Sequence, residues 1–261
     1  MDVQILSYIS LVLYAIADSF VVLNLARSRQ LFRNIGLIVF AVAILVHGYV
    51  LYAAIDINHL QNLSTSNVLS MIVWEAAVIL WFAALRLPVV NLFLVIAPCA
   101  MLSLLGMIIF PGERLIDTQL DSKLFLHITF SIMTFSVFTL AFIQAFLLSI
   151  QHQLLKKKQV LTVRRIFPSV ELMDRLLFIL IHTGFVMLTT IIISSFALDD
   201  FLQLSGNIQQ KVLISVVAWL VFGAIILFRK FKGWQGLKAA CWSMVAYLIL
   251  LLAYFSSRLL Y

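Results

Sequence analysis

Charge is what this sequence has least of. Of its 261 residues only 11% are Asp, Glu, Lys or Arg, against about 25% in ordinary soluble domains, which leaves too little to cover a soluble surface. Cysteine is nearly absent: Cys99 and Cys241 sit in separate apolar runs and form neither CxxC nor CxxCH. That excludes a thiol–disulfide motif and a covalent haem attachment, and both thiols are expected to be buried bystanders. No HExxH, P-loop or GxSxG occurs, so no catalytic activity of the chain's own is expected. Linkers, low-complexity stretches and internal repeats are also missing, and 1–261 reads as a single transmembrane domain. The first 26 residues lack the basic n-region and small-residue cleavage site of a secretory signal, so they are expected to stay as the first span.

What is present is apolar sequence, 64% of all residues, with a mean hydropathy of +1.11. Windows long enough to cross a core of about 30 Å at about 1.5 Å per residue fall near 3–25, 35–55, 67–86, 89–110, 124–150, 172–196, 211–228 and 237–258. The expected fold is an all-α polytopic bundle of about eight transmembrane helices, in contact with membrane lipid. The 18 Lys and Arg exceed the 11 Asp and Glu, yet they gather in alternate short connections: Arg27 to Arg33, Arg86, Lys156 to Arg165, and Arg229 to Lys238. That alternation follows the positive-inside rule and calls for no nucleic-acid partner. It puts both termini on the outer, periplasmic side of the membrane. Pro88 and Pro168 mark helix starts, and Pro98, inside the fourth span, is expected to kink it.

Ionisable residues inside spans are costly, face the bundle interior and are functional candidates by default. They are Asp18, His47, Glu75, His127 and His182. His47 and His182 lie at about the same depth, roughly 15–18 Å from the inner boundary. Two neutral imidazoles at one level can be axial ligands to a haem iron; each can equally be hydrogen-bonded to a neighbouring helix. His127 sits near the outer end of its span, with Ser131 and Thr134 at i+4 and i+7 on the same face. That polar stripe is expected to look into the bundle, as a site or as packing between small polar groups. Glu75 can be a protonated carboxyl, a proton carrier or the acceptor that orients a ligand histidine. Asp18 reads either as an inter-helix hydrogen bond or as functional. His59, in an outer loop, and His152, among lysines, read as solvated.

From the fifth span onward the sequence resembles the cytochrome c assembly family, the CcsA/CcmC-type haem-handling membrane proteins, and most of all its short inner-membrane branch. The resemblance covers 124–261. It is carried by "LFLHITFSIMTFSVFTLAFIQAFLLSI" and by "LMDRLLFILIHTGFVMLTTIIISSF", with Asp174, Gly184, Phe185, Leu188 and Thr189 at matching places. It continues in "KVLISVVAWLVF" and "FRKFKGWQGLKAA", matched at Lys211, Trp219, Arg229, Gly233 and Trp234.

The resemblance implies a multi-pass protein of the bacterial inner membrane, with haem b as cofactor and a membrane or periplasmic protein as partner. It also implies that His127 is an outer haem-iron ligand. Two family features are replaced. The tryptophan-rich external loop becomes "FLQLSGNIQQK", and the partner histidine two residues before Arg229 becomes Leu227. Two readings follow. In one, haem binds through His47 and His182, with His127 outside, without being presented for ligation. In the other, a haem-free scaffold, partner protein or small-solute transporter retains the fold.

Overall fold

A computed structural model describes residues 3–57, 60–116, 122–197 and 206–259. In hydrocarbon every backbone N–H and C=O must be satisfied within the segment, and an apolar run of span length does this as a helix. Among the described residues there are nine helices. The first four are α1 (Val3–Arg27), α2 (Gln30–Ile55), α3 (Thr65–Ala84) and α4 (Phe93–Ile109). They are followed by α5 (Ser122–Lys156), α6 (Val160–Ile166), α7 (Val170–Ala197), α8 (Gly206–Lys232) and α9 (Leu237–Leu259). Seven are long and apolar enough to cross a membrane, and α9 adds a shorter apolar stretch, Leu237–Leu252. The protein is an all-α, multi-pass membrane protein. Pro98 lies within α4, which continues past it to Ile109.

Hydropathy did not reveal two features. Helix α6 is too short to show as a span. The connections after α2 and after α4 pair as a small antiparallel sheet: β1 (Asp56–Ile57), β2 (Leu60–Asn62) and β3 (Leu115–Ile116), in that order. Asn62 organises it. Its Oδ1 accepts from the Arg114 and Ser64 amides at 2.9 and 3.3 Å, and its Nδ2 donates to the Gly112 carbonyl at 3.1 Å. Ser64 then caps α3, accepting from the Asn67 amide, the usual role of a serine at this position. His59 lies outside the described residues.

The chain divides into two compact units, where the lack of a linker had suggested one domain. The first comprises Met1–Ser122 with Arg164–Pro168, the second Lys123–Val163 with Ser169–Tyr261. The second opens beside residue 124, where the resemblance begins.

In the first unit the helices form a ring, α1 beside α2, α2 beside α3, α3 beside α4 and α4 beside α1. Two tryptophans of α3, seven residues apart, donate to α2 carbonyls also seven residues apart: Trp74 to Ile44 and Trp81 to Leu37, each at 2.8 Å. Gly48 makes the close approach possible, since a Cβ there would lie 2.9 Å from the Trp74 ring. Arginines satisfy carbonyls at helix C-termini that have no intrahelical donor. Arg33 donates to Ala84 O at 2.6 Å, and Arg165 donates to the carbonyls of Leu25 and Ala26.

In the second unit α5 supplies the core. Phe138 stacks on Phe222 of α8 with centroids 4.1 Å apart and fills the space beside Gly184 of α7. The Tyr247 hydroxyl of α9 donates to Thr139 Oγ1 at 2.7 Å, because the threonine's own proton goes to Phe135 O. Gln144 Nε2 donates to Met173 O of α7 at 2.8 Å. Helices α7 and α8 join through the stacked rings of Phe185 and Trp219, and Trp219 Nε1 donates to Thr189 Oγ1 at 2.8 Å. Gly184, Phe185, Thr189 and Trp219, which carry the family resemblance, are thus packing positions where α7 meets α5 and α8.

Candidate functional site

Hydrogen-bonding sets the three span histidines apart from one another. His47 of α2 is fully buried. Its Nδ1 meets the Tyr14 hydroxyl of α1 at 3.1 Å, and its Nε2 meets Ser70 Oγ of α3 at 2.9 Å. Ser70 Oγ lies 3.2 Å from Ser103 Oγ of α4, and Ser103 donates to Ala100 O at 2.9 Å. That last bond fixes the direction of the rest. Ser103 oxygen accepts from Ser70, Ser70 oxygen accepts from His47 Nε2–H, and His47 Nδ1 accepts from Tyr14. The ring is therefore the neutral Nε2–H tautomer, with one partner on each nitrogen. Four helices contribute one side chain each to a chain of bonds in the middle of the unit.

His182 of α7 is exposed, and its Nδ1–H donates to Phe178 O, one turn back in its own helix, at 2.7 Å. Its Nε2 lone pair has no hydrogen-bond partner among the described residues. His127 of α5 is half-buried. Its Nδ1 lies 2.8 Å from Ser194 Oγ of α7, whose own proton goes to Ile191 O at 2.9 Å. His127 is therefore the donor, and its Nε2 lone pair too has no hydrogen-bond partner among the described residues. An imidazole held by its Nδ1–H, with Nε2 presented, is the arrangement in which histidines ligate metals.

Geometry along α7 separates these two. Ser194, which holds the His127 ring, stands twelve residues from His182, about 18 Å at 1.5 Å per residue. One iron with Fe–N bonds of about 2 Å needs its two nitrogens about 4 Å apart, so His127 and His182 do not share one. His47 lies in the first unit and has no free nitrogen to offer. The donor set fits a haem held by a single histidine, at His127 or at His182. As arranged, it does not fit the pairing of His47 with His182, because iron could reach His47 only by displacing Tyr14 or Ser70.

The expected supporting residues are placed differently. Ser131 donates to His127 O at 2.7 Å and Thr134 to Phe130 O at 2.8 Å, both within α5, and neither hydroxyl bonds the His127 ring. Glu75 is half-buried on α3; Ser70 rather than Glu75 orients His47. Asp18, half-buried on α1 one turn from Tyr14, has no hydrogen-bond partner on Oδ1. His152 is exposed, as is Leu227. Cys241, expected to be buried, is exposed and Cys99 only partly covered, since a thiol is apolar enough for the outward face of a span. Of the loop that replaces the tryptophan-rich segment, 201–205 lie outside the described residues.

A second polar knot, not legible from residue patterns, has Asp174 at the start of α7 joining three elements. Its Oδ2 accepts from Arg229 Nη1 of α8 at 2.9 Å, and its Oδ1 accepts from the Gly236 amide, just before α9, at 2.7 Å. The Arg229 guanidinium lies 3.5 Å over the Phe178 ring. Gly233 and Gly236 take positive φ, +63° and +60°, and the Gly233 amide returns to Arg229 O at 3.1 Å, closing α8 with a left-handed cap. Asp174, Arg229 and Gly233 appear in the resemblance as separate positions and in the structure as one joint.

Among curated proteins, Inner membrane protein YpjD of Escherichia coli K12 is 27% identical over 265 aligned positions, covering 98% of this chain and 97% of that protein. It represents the short branch expected from the sequence. Protein HemX of Bacillus subtilis is 30% identical over 139 positions, 52% of this chain and 50% of HemX. An uncharacterized 28.8 kDa protein of Azospirillum brasilense is 28% identical over 131 positions, 49% of this chain and 48% of that one. No solved structure matches. The apolar helices and the likeness to YpjD place the chain in the inner membrane as a multi-pass protein. The model of the cytochrome c assembly protein family matches residues 35–261, most of both units, and the chain belongs to that family.

Proposed function

We propose that the protein handles haem in the inner membrane by single-histidine ligation, with His127 the ligand, and does not present haem to an apocytochrome. The observation that carries this is the His127 ring, whose Nδ1–H is held by Ser194 at 2.8 Å while Nε2 has no hydrogen-bond partner among the described residues. Family membership and the match of His127 to the family's outer ligand support it. The haem would be b-type, since no CxxCH exists to attach it. His182 offers a second, separate Nε2, while His47 braces the first unit. A partner protein would accept or supply the haem.

The test is the visible spectrum of detergent-purified protein with haem added, for wild type, His47→Ala, His127→Ala and His182→Ala. A Soret band that is lost in His127→Ala and kept in His47→Ala is the expected result. A haem-free scaffold, partner or small-solute transporter is the second reading, favoured by Leu227 and the tryptophan-free segment 201–211. A wild type that stays colourless with haem would establish it in place of the first.

A further inference from the structure

The α8–α9 turn gathers cations that no carboxylate among the described residues neutralises. Lys230 and Lys232 end α8, Lys238 begins α9, and all three are exposed. Among the described residues none of them forms an ion pair, and the one carboxylate at the joint, Asp174, is held by Arg229 and Gly236. Lys156 ends α5 and Lys157 and Lys158 follow it in the turn at the same end of the unit, where Glu171 is the only other acid among the described residues.

Below these lysines run exposed apolar stripes at helical spacing. On α8, Leu220, Leu227 and Phe231 follow one another at i+7 and i+4, Phe231 being 75% exposed beside Lys230 and Lys232. On α9, Lys238 is followed at i+4 by Trp242 and then by Val245 and Leu252, all exposed. The Trp242 indole N–H has no hydrogen-bond partner among the described residues. An unmatched N–H one turn below a charged head needs an acceptor at that depth, and tryptophans are placed at bilayer interfaces for this reason.

We infer that the α8–α9 turn is a binding site for an anionic phospholipid. Its phosphate lies between Lys232 and Lys238, its ester carbonyl accepts from Trp242, and its acyl chains lie along the stripes headed by Phe231 and Trp242. Lysines without an ion-pair partner among the described residues, Lys232 resting 5.0 Å over the Phe228 ring, supply the attraction to an anionic head group, the apolar stripes require acyl chains, and the indole selects a carbonyl between them. A soluble anion would satisfy only the first. The inference is independent of haem.

Native mass spectrometry of the detergent-purified full chain, with phosphatidylglycerol or phosphatidylcholine added, tests it. Phosphatidylglycerol should be retained in preference to phosphatidylcholine. Each lysine near an anionic surface is worth about fivefold in affinity, so Lys232→Gln/Lys238→Gln should bind about thirtyfold more weakly. Lys156→Gln/Lys157→Gln, off this turn, should weaken binding far less than the 232/238 variant does, and Trp242→Phe should fall between wild type and the 232/238 variant. These positions are exposed, so the variants should fold, which an unchanged melting curve without added lipid would verify. Equal retention of both lipids, undiminished binding by the 232/238 variant, or displacement by millimolar inorganic phosphate would overturn the inference.

Discussion

His47 is held as a brace, and that makes it sensitive to truncation. Removing the ring leaves the buried Tyr14 proton without its acceptor and the Ser70 oxygen without its donor, beside a cavity. His47→Ala should cost about 2–4 kcal/mol in reversible unfolding in bicelles. Ser103→Ala should cost only about 0.5–1.5 kcal/mol, because Ser70 can turn its proton to a carbonyl of its own helix. Similar losses for the two would show that the chain of bonds does not depend on the ring. The sequence marked His47 correctly as an ionisable group in a span, and depth placed it near the midplane. It could not name Tyr14, Ser70 or Ser103, because single hydroxyls in apolar runs carry no pattern and depth does not say which helices are neighbours. Of the two readings left open for the mid-span histidines, the bond to a neighbouring helix is present at His47; His182 bonds its own.

At the scale of elements, hydropathy alone located all eight long helices to within a few residues, since span length and apolar composition are what a bilayer selects. Helix α6 and the three short strands were not legible, being fixed by local bonds such as those of Asn62. The residues that carry the family resemblance acquire their reasons only in contact. A Cβ at Gly184 would lie 2.6 Å from the Phe138 ring. Gly184→Ala should therefore destabilise the second unit by about 1–3 kcal/mol through overpacking, and Phe138→Leu in the same chain should recover part of that loss. If the paired change were simply additive, the contact would not be the cause. Asp174 offers a comparable test at the α7–α8–α9 joint. Asp174→Asn keeps an acceptor for the Gly236 amide and loses the ion pair, whereas Asp174→Ala loses both, so alanine should melt lower than asparagine. The gap reads the amide bond separately from the charge, which the partly exposed Arg229 leaves partly screened by solvent.

At the scale of the whole molecule, the sequence resemblance began at 124 whereas the family match extends back to residue 35. The first unit's share of the family is mostly apolar helix without punctuating motifs, so residue patterns alone do not expose it. This bears on how haem would be held. Depth in the bilayer invited a pairing of His47 with His182, but one ring has both nitrogens engaged. Of the remaining candidates, His182 stands about 18 Å along α7 from Ser194, which holds the His127 ring. A haem held at His127, as proposed, would take that one ligand from this chain and leave a position for an added one. Ferric protein reconstituted with haem should show a high-spin spectrum, which millimolar imidazole converts to low-spin by filling that position. His182→Ala should leave both spectra unchanged, and His127→Ala should abolish them. If instead the protein without imidazole shows sharp low-spin α/β bands on reduction, and either His47→Ala or His182→Ala removes them, then the bonds to Tyr14 and Ser70 are surrendered when haem binds. The first unit would in that case change its core to take up the ligand.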